Sequence, residues 1–368
     1  MDSENLSPAH PELTSIETLP NELLDHVFSY ISPGPPPSAQ KLRQTPSYLI
    51  TSSSTVDLKN VSRTCQRFRG ISRPRLFAHT CHELPDQERF LGFLHQYGLA
   101  RHVKSAVVYA RSTYPSTEKP LWWTRLLEEI DPLDVVVIAP PHMFAHMALK
   151  SLNKIHAWAF QLQLQTMQFR QSAQRPSNFQ KSRVDNTFFS ARPWTEILFN
   201  EGSSLKAYNN YEYYLLRIPS IMDKWGSFDP LLSKELPYPA EAISRFTSFH
   251  YTAVFPFYNH TNSVLKVIRN MSSLRQLSMQ LAPGPDSTIF EEEQQMGTLD
   301  PNDPWMELDT SYSLIAHAVR YLGVHAKLVE FRSWDFELEP LRDSLVATMD
   351  KTLKGNWIHD NCGLWMKV

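Results

Sequence analysis

From His82 onward the chain repeats one theme: a helical stretch runs into a short β-rich stretch. Apolar residues spaced three and four apart predict helices over 87–98, 121–130, 143–154, 262–270 and 311–323. Runs rich in β-branched, aromatic or alternating apolar residues predict strands over 103–109, 135–139, 274–281 and 328–334. Phe160, Leu162 and Leu164 alternate with glutamines and predict another strand. Residues 194–200 are read as a helical stretch that leads into a strand over 205–213. No single helix–strand unit can bury its own apolar face, so such units must stack, strand beside strand with the helices outside. This periodicity predicts an α/β chain in which short parallel strands alternate with helices.

The clearest unit, Leu274-x-x-Leu277-x-Met279, fits the L-x-x-L-x-L strand signature of a leucine-rich repeat. Leu205-x-x-Tyr208 and Leu328-x-x-Phe331 are weaker echoes. Strand starts fall roughly 25 to 55 residues apart, against about 20–29 for regular repeats, so the expected array is an irregular solenoid with long insertions. A generic α/β domain is the alternative. A curved solenoid sheet offers an extended concave surface. If 205–214 is a strand, Lys206, Asn209, Tyr211 and Tyr213 share its outward face and are the candidate substrate-binding residues. The loops 172–193, with Arg175, Lys181, Arg183 and Arg192, and 283–304, with Glu291, Glu292 and Glu293, read as solvated charged segments.

Composition narrows the function classes. Of 368 residues 42% are hydrophobic and 12% aromatic, enough for a sizeable core. Proline (27) outnumbers glycine (11), which suits short punctuated elements. A net charge of −2 leaves no basic footprint for nucleic acid. Three cysteines, Cys65, Cys81 and Cys362, make no disulfide framework. The N-terminal stretch is polar, and no long apolar run predicts a membrane span. The expected location is cytoplasm or nucleus.

The stretch before His82 is different. Pro20 suits a first helical turn, and Glu22 and Asp25 complement the positive end of that helix. Leu19, Leu23, Val27 and Ile31 recur every four residues, with Leu24 and Phe28 beside them, until Pro33, Gly34 and Pro35-Pro36-Pro37 stop the pattern. A second helical stretch over 58–77 places Leu58, Val61, Cys65, Phe68 and Ile71 on one face, and a short third helix is expected near 75–82.

These residues carry a resemblance. Leu19-Pro20-x-Glu22-Leu23-Leu24, Ile31, Leu58, Val61-Ser62-Arg63 and Cys65-Gln66-Arg67-Phe68-Arg69-Gly70-Ile71 resemble the F-box motif, and the whole chain looks like F-box proteins of the filamentous-fungal type. The resemblance implies an F-box-like helical unit at 15–82 and a degenerate leucine-rich-repeat-like domain at 83–368; a disordered tail is expected at 1–14, and the Pro- and Ser-rich stretch 32–55, longer than the family's usual link, is expected to be a flexible insertion in the helical unit. It also implies partners: a Skp-type adaptor, through it a cullin and a RING subunit, and an unknown protein substrate bound for ubiquitin transfer. Leu19, Pro20, Leu23, Leu58, Val61 and Phe68 are the expected adaptor-binding residues. An ordinary helical N-terminal cap is the alternative for this stretch. An F-box scaffold bound to the adaptor alone is the alternative for the function.

Catalytic constellations are thin. His142 and His146 lie four apart on one helical face, but Met143 stands where a zincin carries glutamate. His79, Cys81 and His82 match no closed zinc spacing with Cys65. No G-x-S-x-G, P-loop or G-x-G-x-x-G occurs. The expectation is a non-enzyme with no cofactor and no metal; a small-molecule or metal-binding enzyme is the weaker alternative. Trp122-Trp123 reads as core, and Trp357 and Trp365 as packing that closes the end of the array.

Overall fold

Among the described residues ten strands form one sheet, and the first eight stand side by side in chain order. They are β1 (His79–Glu83), β2 (Ser105–Tyr109), β3 (Asp134–Ala139), β4 (Gln165–Arg170), β5 (Glu196–Ser203), β6 (Ser248–Val254), β7 (Gln276–Gln280) and β8 (Glu330–Ser333). Neighbours are parallel except at β4, which runs antiparallel to both β3 and β5. A C-terminal hairpin of β9 (Trp357–His359) and β10 (Leu364–Lys367) adds antiparallel to β8, giving the final order β8-β10-β9. The protein is therefore mixed α/β with a mostly parallel sheet. The computed structural model describes residues 15–31, 37–51, 55–111, 121–148, 164–172, 187–216, 220–222, 240–285, 287–289, 291 and 300–368. The expected tail at 1–14 lies outside them.

Side chains alternate between the two faces of each strand, and the alternation divides the core. Ala106, Val108, Val135, Val137, Met167, Phe169, Ile197, Phe199, Phe249, Tyr251, Leu277, Met279 and Phe331 pack with the helices. The helices concerned are α5 (Gln87–Gln96), α6 (Trp122–Glu129), α7 (Pro141–Met147), α9 (Ala240–Ser244), α10 (Tyr258–Ile268), α11 (Asp303–His325) and α12 (Arg342–Leu353). They contribute Leu91, Trp123, Phe144, Val264, Ile315 and Met349 among others. The opposite strand residues, Val107, Tyr109, Val136, Ile138 and Leu198, form a separate cluster on the other face. Outside the middle of the chain the sequence-based helices and strands fall close to these elements, because each carries its own periodic apolar set; 149–154 of the expected helix over 143–154 lie outside the described residues.

Two expectations are overturned in the middle of the chain. The strand lies at Glu196–Ser203, on the stretch expected to be helical and one segment before the expected 205–213, which instead forms a 3-10 helix (Leu205–Asn210) and a short helix α8 (Tyr211–Leu216). The cause is tertiary. Ile197 and Phe199 are buried among the helices and Leu198 on the other face, so only this run satisfies a strand flanked on both sides. Gly202 (φ +77°) sits in a bulge of β5, between the Asn200–Thr252 and Ser203–Val254 pairs. The alternating Phe160–Leu164 run also precedes the strand; β4 begins at Gln165, and 160–163 lie outside the described residues.

The insertion expected at 32–55 is described over 37–51. Residues 37–51 form a strap across the sheet face away from the helices. One helical turn, α2 (Ala39–Leu42), delivers fully buried Leu42 into the cluster of Val107, Tyr109, Val136, Ile138 and Leu198, and Tyr48, Ile50 and Leu164 pack around it. The Asn200 amide donates from Nδ2 to the carbonyls of Leu42 and Gln44, each at 2.8 Å. The Tyr48 hydroxyl donates to Ala110 O at 3.0 Å.

At the far end Trp365 is fully buried, stacks on His359 with ring centres 4.3 Å apart, and donates from Nε1 to Asp350 at 3.1 Å. Trp357 lies so close to α11 that a Cβ at Gly323 would stand 2.8 Å from its ring. The hairpin thus closes the core where the parallel strands stop.

Candidate functional site

Three N-terminal helices hold a small core of their own. α1 (Asn21–Ser29), α3 (Val56–Thr64) and α4 (Gln66–Leu76) bring together Leu24, Phe28, Leu58 and Phe68, with Leu19, Ile31, Val61, Cys65, Ile71 and Leu76 around them. Phe28 and Phe68 meet edge to face at 5.3 Å. The expected single helix over 58–77 breaks at Cys65, whose extended backbone (φ −150°, ψ 167°) caps α4 while its Sγ accepts from Phe68 N at 3.4 Å. No third helix follows: α4 ends at Leu76 and β1 begins at His79, inside the stretch assigned to the helical unit.

Two arginines tie the unit together. Arg67 donates to Asn21 Oδ1 (2.9 Å), Glu17 O (2.5 Å) and Leu19 O (2.6 Å), fixing the chain where it enters α1. Arg75 forks onto Asp25 with two 2.7 Å hydrogen bonds, and these hold the Asp25 carboxyl below its usual pKa.

α1 carries two apolar stripes. Leu24 and Phe28 point inward. Leu23, Val27 and Tyr30 stay 51%, 41% and 78% exposed, and Pro20 is exposed one turn earlier. Spaced three and four apart, Pro20, Leu23, Val27 and Tyr30 line one side of the helix. Of the expected adaptor-binding residues, Leu23 and Pro20 are at the surface, Leu19 and Val61 are half-buried, and Leu58 and Phe68 are buried within the unit itself. Val27 and Tyr30, outside the expected set, complete the exposed stripe, and their spacing from Leu23 is the signal that finds them.

The open sheet face is the second candidate surface. Beside the strap runs a polar ladder at the N-terminal ends of the parallel strands. Gln168 donates to Asp134 (2.7 Å), and Arg170 reaches Asp134 (3.3 Å) and Glu196 (3.1 Å). His250 Nε2 lies 3.6 Å from Glu196, and its Nδ1 is 2.6 Å from Ser278 Oγ. Burial raises the pKa of Asp134 and lowers that of His250.

The expected substrate-binding residues do not lie on this face, because their segment is helical. Lys206 is half-buried and Asn209 exposed on the 3-10 turn. Tyr211 donates to Glu307 of α11 at 2.5 Å, and Tyr213 packs edge-on against Tyr214. Burial raises the pKa of Tyr211, so it remains a hydrogen-bond donor. Arg192, expected in a solvated loop, is buried. Its guanidinium donates to Leu127 O (2.5 Å) and Ile130 O (2.9 Å), closing the C-terminal end of α6, and pairs with Asp131. Burial lowers its pKa to about 10.

A sealed acid–base cluster sits at the helix side of β5 and β6. Glu201 accepts from Ser220 (2.6 Å) and Tyr251 (2.5 Å), and His260 Nε2 is 2.7 Å from its Oε2. All four residues are buried, which denies a substrate access and makes the cluster an internal tie between the sheet and α10. Glu201→Gln is expected to lower folding stability by about 1–3 kcal/mol, read from urea unfolding, since an amide mismatches three neighbours that suit a carboxylate. His142 and His146 lie edge to face at 6.2 Å, and among the described residues no group of three His, Cys, Asp or Glu side chains is placed to hold a metal ion. No helix among them is long and apolar enough to cross a membrane. No family model matches the chain, nor does any curated protein or solved structure.

Proposed function

We propose that this protein is the substrate receptor of an SCF-type ubiquitin ligase, with an F-box-like unit at its N-terminal end and an irregular leucine-rich-repeat-like sheet as its recognition module. The carrying observation is the outer stripe of α1. Leu23, Val27 and Tyr30 remain exposed although a closed core stands directly behind them. A helix that fills its own core and still presents a second apolar stripe fits docking against another protein. The strand order supports the repeat-like reading, since eight consecutive strands step in one direction across the sheet.

In this reading the protein has no active site of its own and acts in the cytoplasm or nucleus. It holds a target beside a ubiquitin-loaded enzyme, and the gain is effective concentration. Affinity purification of the full chain with ligase turnover blocked tests this. Recovery of a Skp-type adaptor together with cullin is the expected result, and Leu19→Ala with Pro20→Ala is expected to remove both while the protein stays soluble. Adaptor without cullin would favour the scaffold function. A preparation with no adaptor overturns the reading.

A further inference from the structure

The strap lies on the open face as a bound peptide would. The sheet meets it with devices suited to reading a peptide. We propose that this face is a receptor for a peptide of a partner protein bearing an aliphatic–arginine pair with an aromatic residue a few positions downstream, and that residues 37–51 are its resident occupant, displaced by the partner. The inference deepens the reading of the sheet as a recognition module and rests on it.

Three features carry it. Asn200, only 1% exposed, donates to two backbone carbonyls of the strap, Leu42 O and Gln44 O. Its own Oδ1 accepts from Gly202 N at 2.9 Å, which fixes which way the amide points. A side chain locked in this way reads main chain and accepts any residue that supplies carbonyls at that spacing. Leu42 then fills a socket of Val107, Tyr109, Val136, Ile138 and Leu198, apolar residues on a face that is otherwise polar. Finally, the Arg43 guanidinium sits 3.4 Å above the Trp334 ring, with Glu337 3.9 Å from Nη2. An aromatic face flanked by a carboxylate is a cation seat.

The occupant fits this seat incompletely. The Arg43 side chain is only 10% exposed, yet its Nε and Nη1 have no hydrogen-bond partner. Buried donors left unpaired weaken the strap's hold. A partner arginine arriving with acceptors from its own chain would satisfy them. The strap is held at Leu42, Arg43, Tyr48 and Ile50 and is open between them: Lys41, Gln44 and Thr45 are exposed and Leu49 is 82% exposed. Such a segment is held by a few points and can be exchanged.

The test uses the full chain and a fluorescein-labelled synthetic peptide of residues 37–51, followed by fluorescence polarisation. Leu42→Asp with Arg43→Ala releases the strap. A tethered competitor acts at an effective concentration of about 1 mM, so a peptide of about 10 µM affinity should bind the released chain about 100-fold more tightly than wild type. Adding Trp334→Ala, or replacing the peptide's own arginine by alanine, should weaken binding at least about tenfold, the range of a desolvated cation–aromatic contact. If the aspartate variant does not fold, Leu42→Ala with Arg43→Ala, which keeps a methyl in the socket, takes its place. A folded released chain that does not bind the peptide, or that binds it equally well without Trp334, overturns the proposal. The assay contains no adaptor, so its failure leaves the ligase reading untouched, and failure of the adaptor purification leaves the peptide site untouched.

Discussion

Asp335→Ala is expected to cost about 2–6 kcal/mol of folding stability at pH 7. The Asp335 carboxylate is fully enclosed where β7 ends beside β8. It accepts from Leu281 N at 2.8 Å, Ala282 N at 2.9 Å and the Tyr312 hydroxyl at 2.5 Å. Alanine orphans the two backbone donors, at about 1–3 kcal/mol each, while Tyr312 keeps Ser333 Oγ at 2.7 Å. The effect also has a pH signature. Burial pushes the Asp335 pKa up to about 6 in spite of its hydrogen bonds. A folded pKa raised above the unfolded value adds stability that is fully present below about pH 4 and is lost as pH rises through about 6. A shift of about 2 units corresponds to about 3 kcal/mol. The gap between wild type and Asp335→Ala should therefore widen by about that amount from pH 7 to pH 4 in parallel urea titrations. A gap that narrows on acidification would mean that the ionised form is the one the fold favours.

The legible parts of the fold are those in which local pattern and tertiary demand agree. Val135 to Ala139 and Leu274-x-x-Leu277-x-Met279 could be read as strands because their apolar residues match the sheet's alternation. The Tyr208 to Tyr214 run shows the opposite case. Its aromatics favour a strand, but the sheet already holds Ile197, Leu198 and Phe199 between β4 and β6, so the tyrosines coil over the sheet's end and Tyr208 packs on Phe257 at 4.5 Å. No local feature of Gln165 to Arg170 specifies that β4 runs backwards. The strap was hidden for another reason. Its prolines and serines have linker composition, and its anchor Asn200 is 158 residues from Leu42. The Glu201–Tyr251–His260 cluster likewise joins residues separated by about fifty positions, a spacing with no motif.

Helix α1 was legible as amphipathic but not as two-faced. The four-residue recurrence of Leu19, Leu23, Val27 and Ile31 reads as one stripe, whereas the fold uses Leu24 and Phe28 inside and leaves Leu23 and Val27 outside. Leu58 and Phe68 were expected at the adaptor because they share the motif's apolar face. That face is spent on the unit's own core, which a unit this small needs in order to hold its helices together.

Leu23→Asp with Val27→Asp separates docking from folding. Each side chain stands on the outer side of α1, clear of Leu24 and Phe28, so the melting transition should move by no more than about 0.5 kcal/mol equivalent, as for surface substitutions in general. Burying a Leu or Val side chain contributes about 1.5–3 kcal/mol, and two lost together remove about 3–6 kcal/mol of docking energy. At about 1.4 kcal/mol per tenfold, affinity for a purified Skp-type adaptor should fall about 100-fold to 10,000-fold in a biosensor titration. Leu24→Asp, one residue away, puts a charge into the closed core and should unfold the helical unit instead, seen as lost helical ellipticity. Adaptor binding that survives the outer pair unchanged would show that the exposed stripe of α1 is not the docking surface.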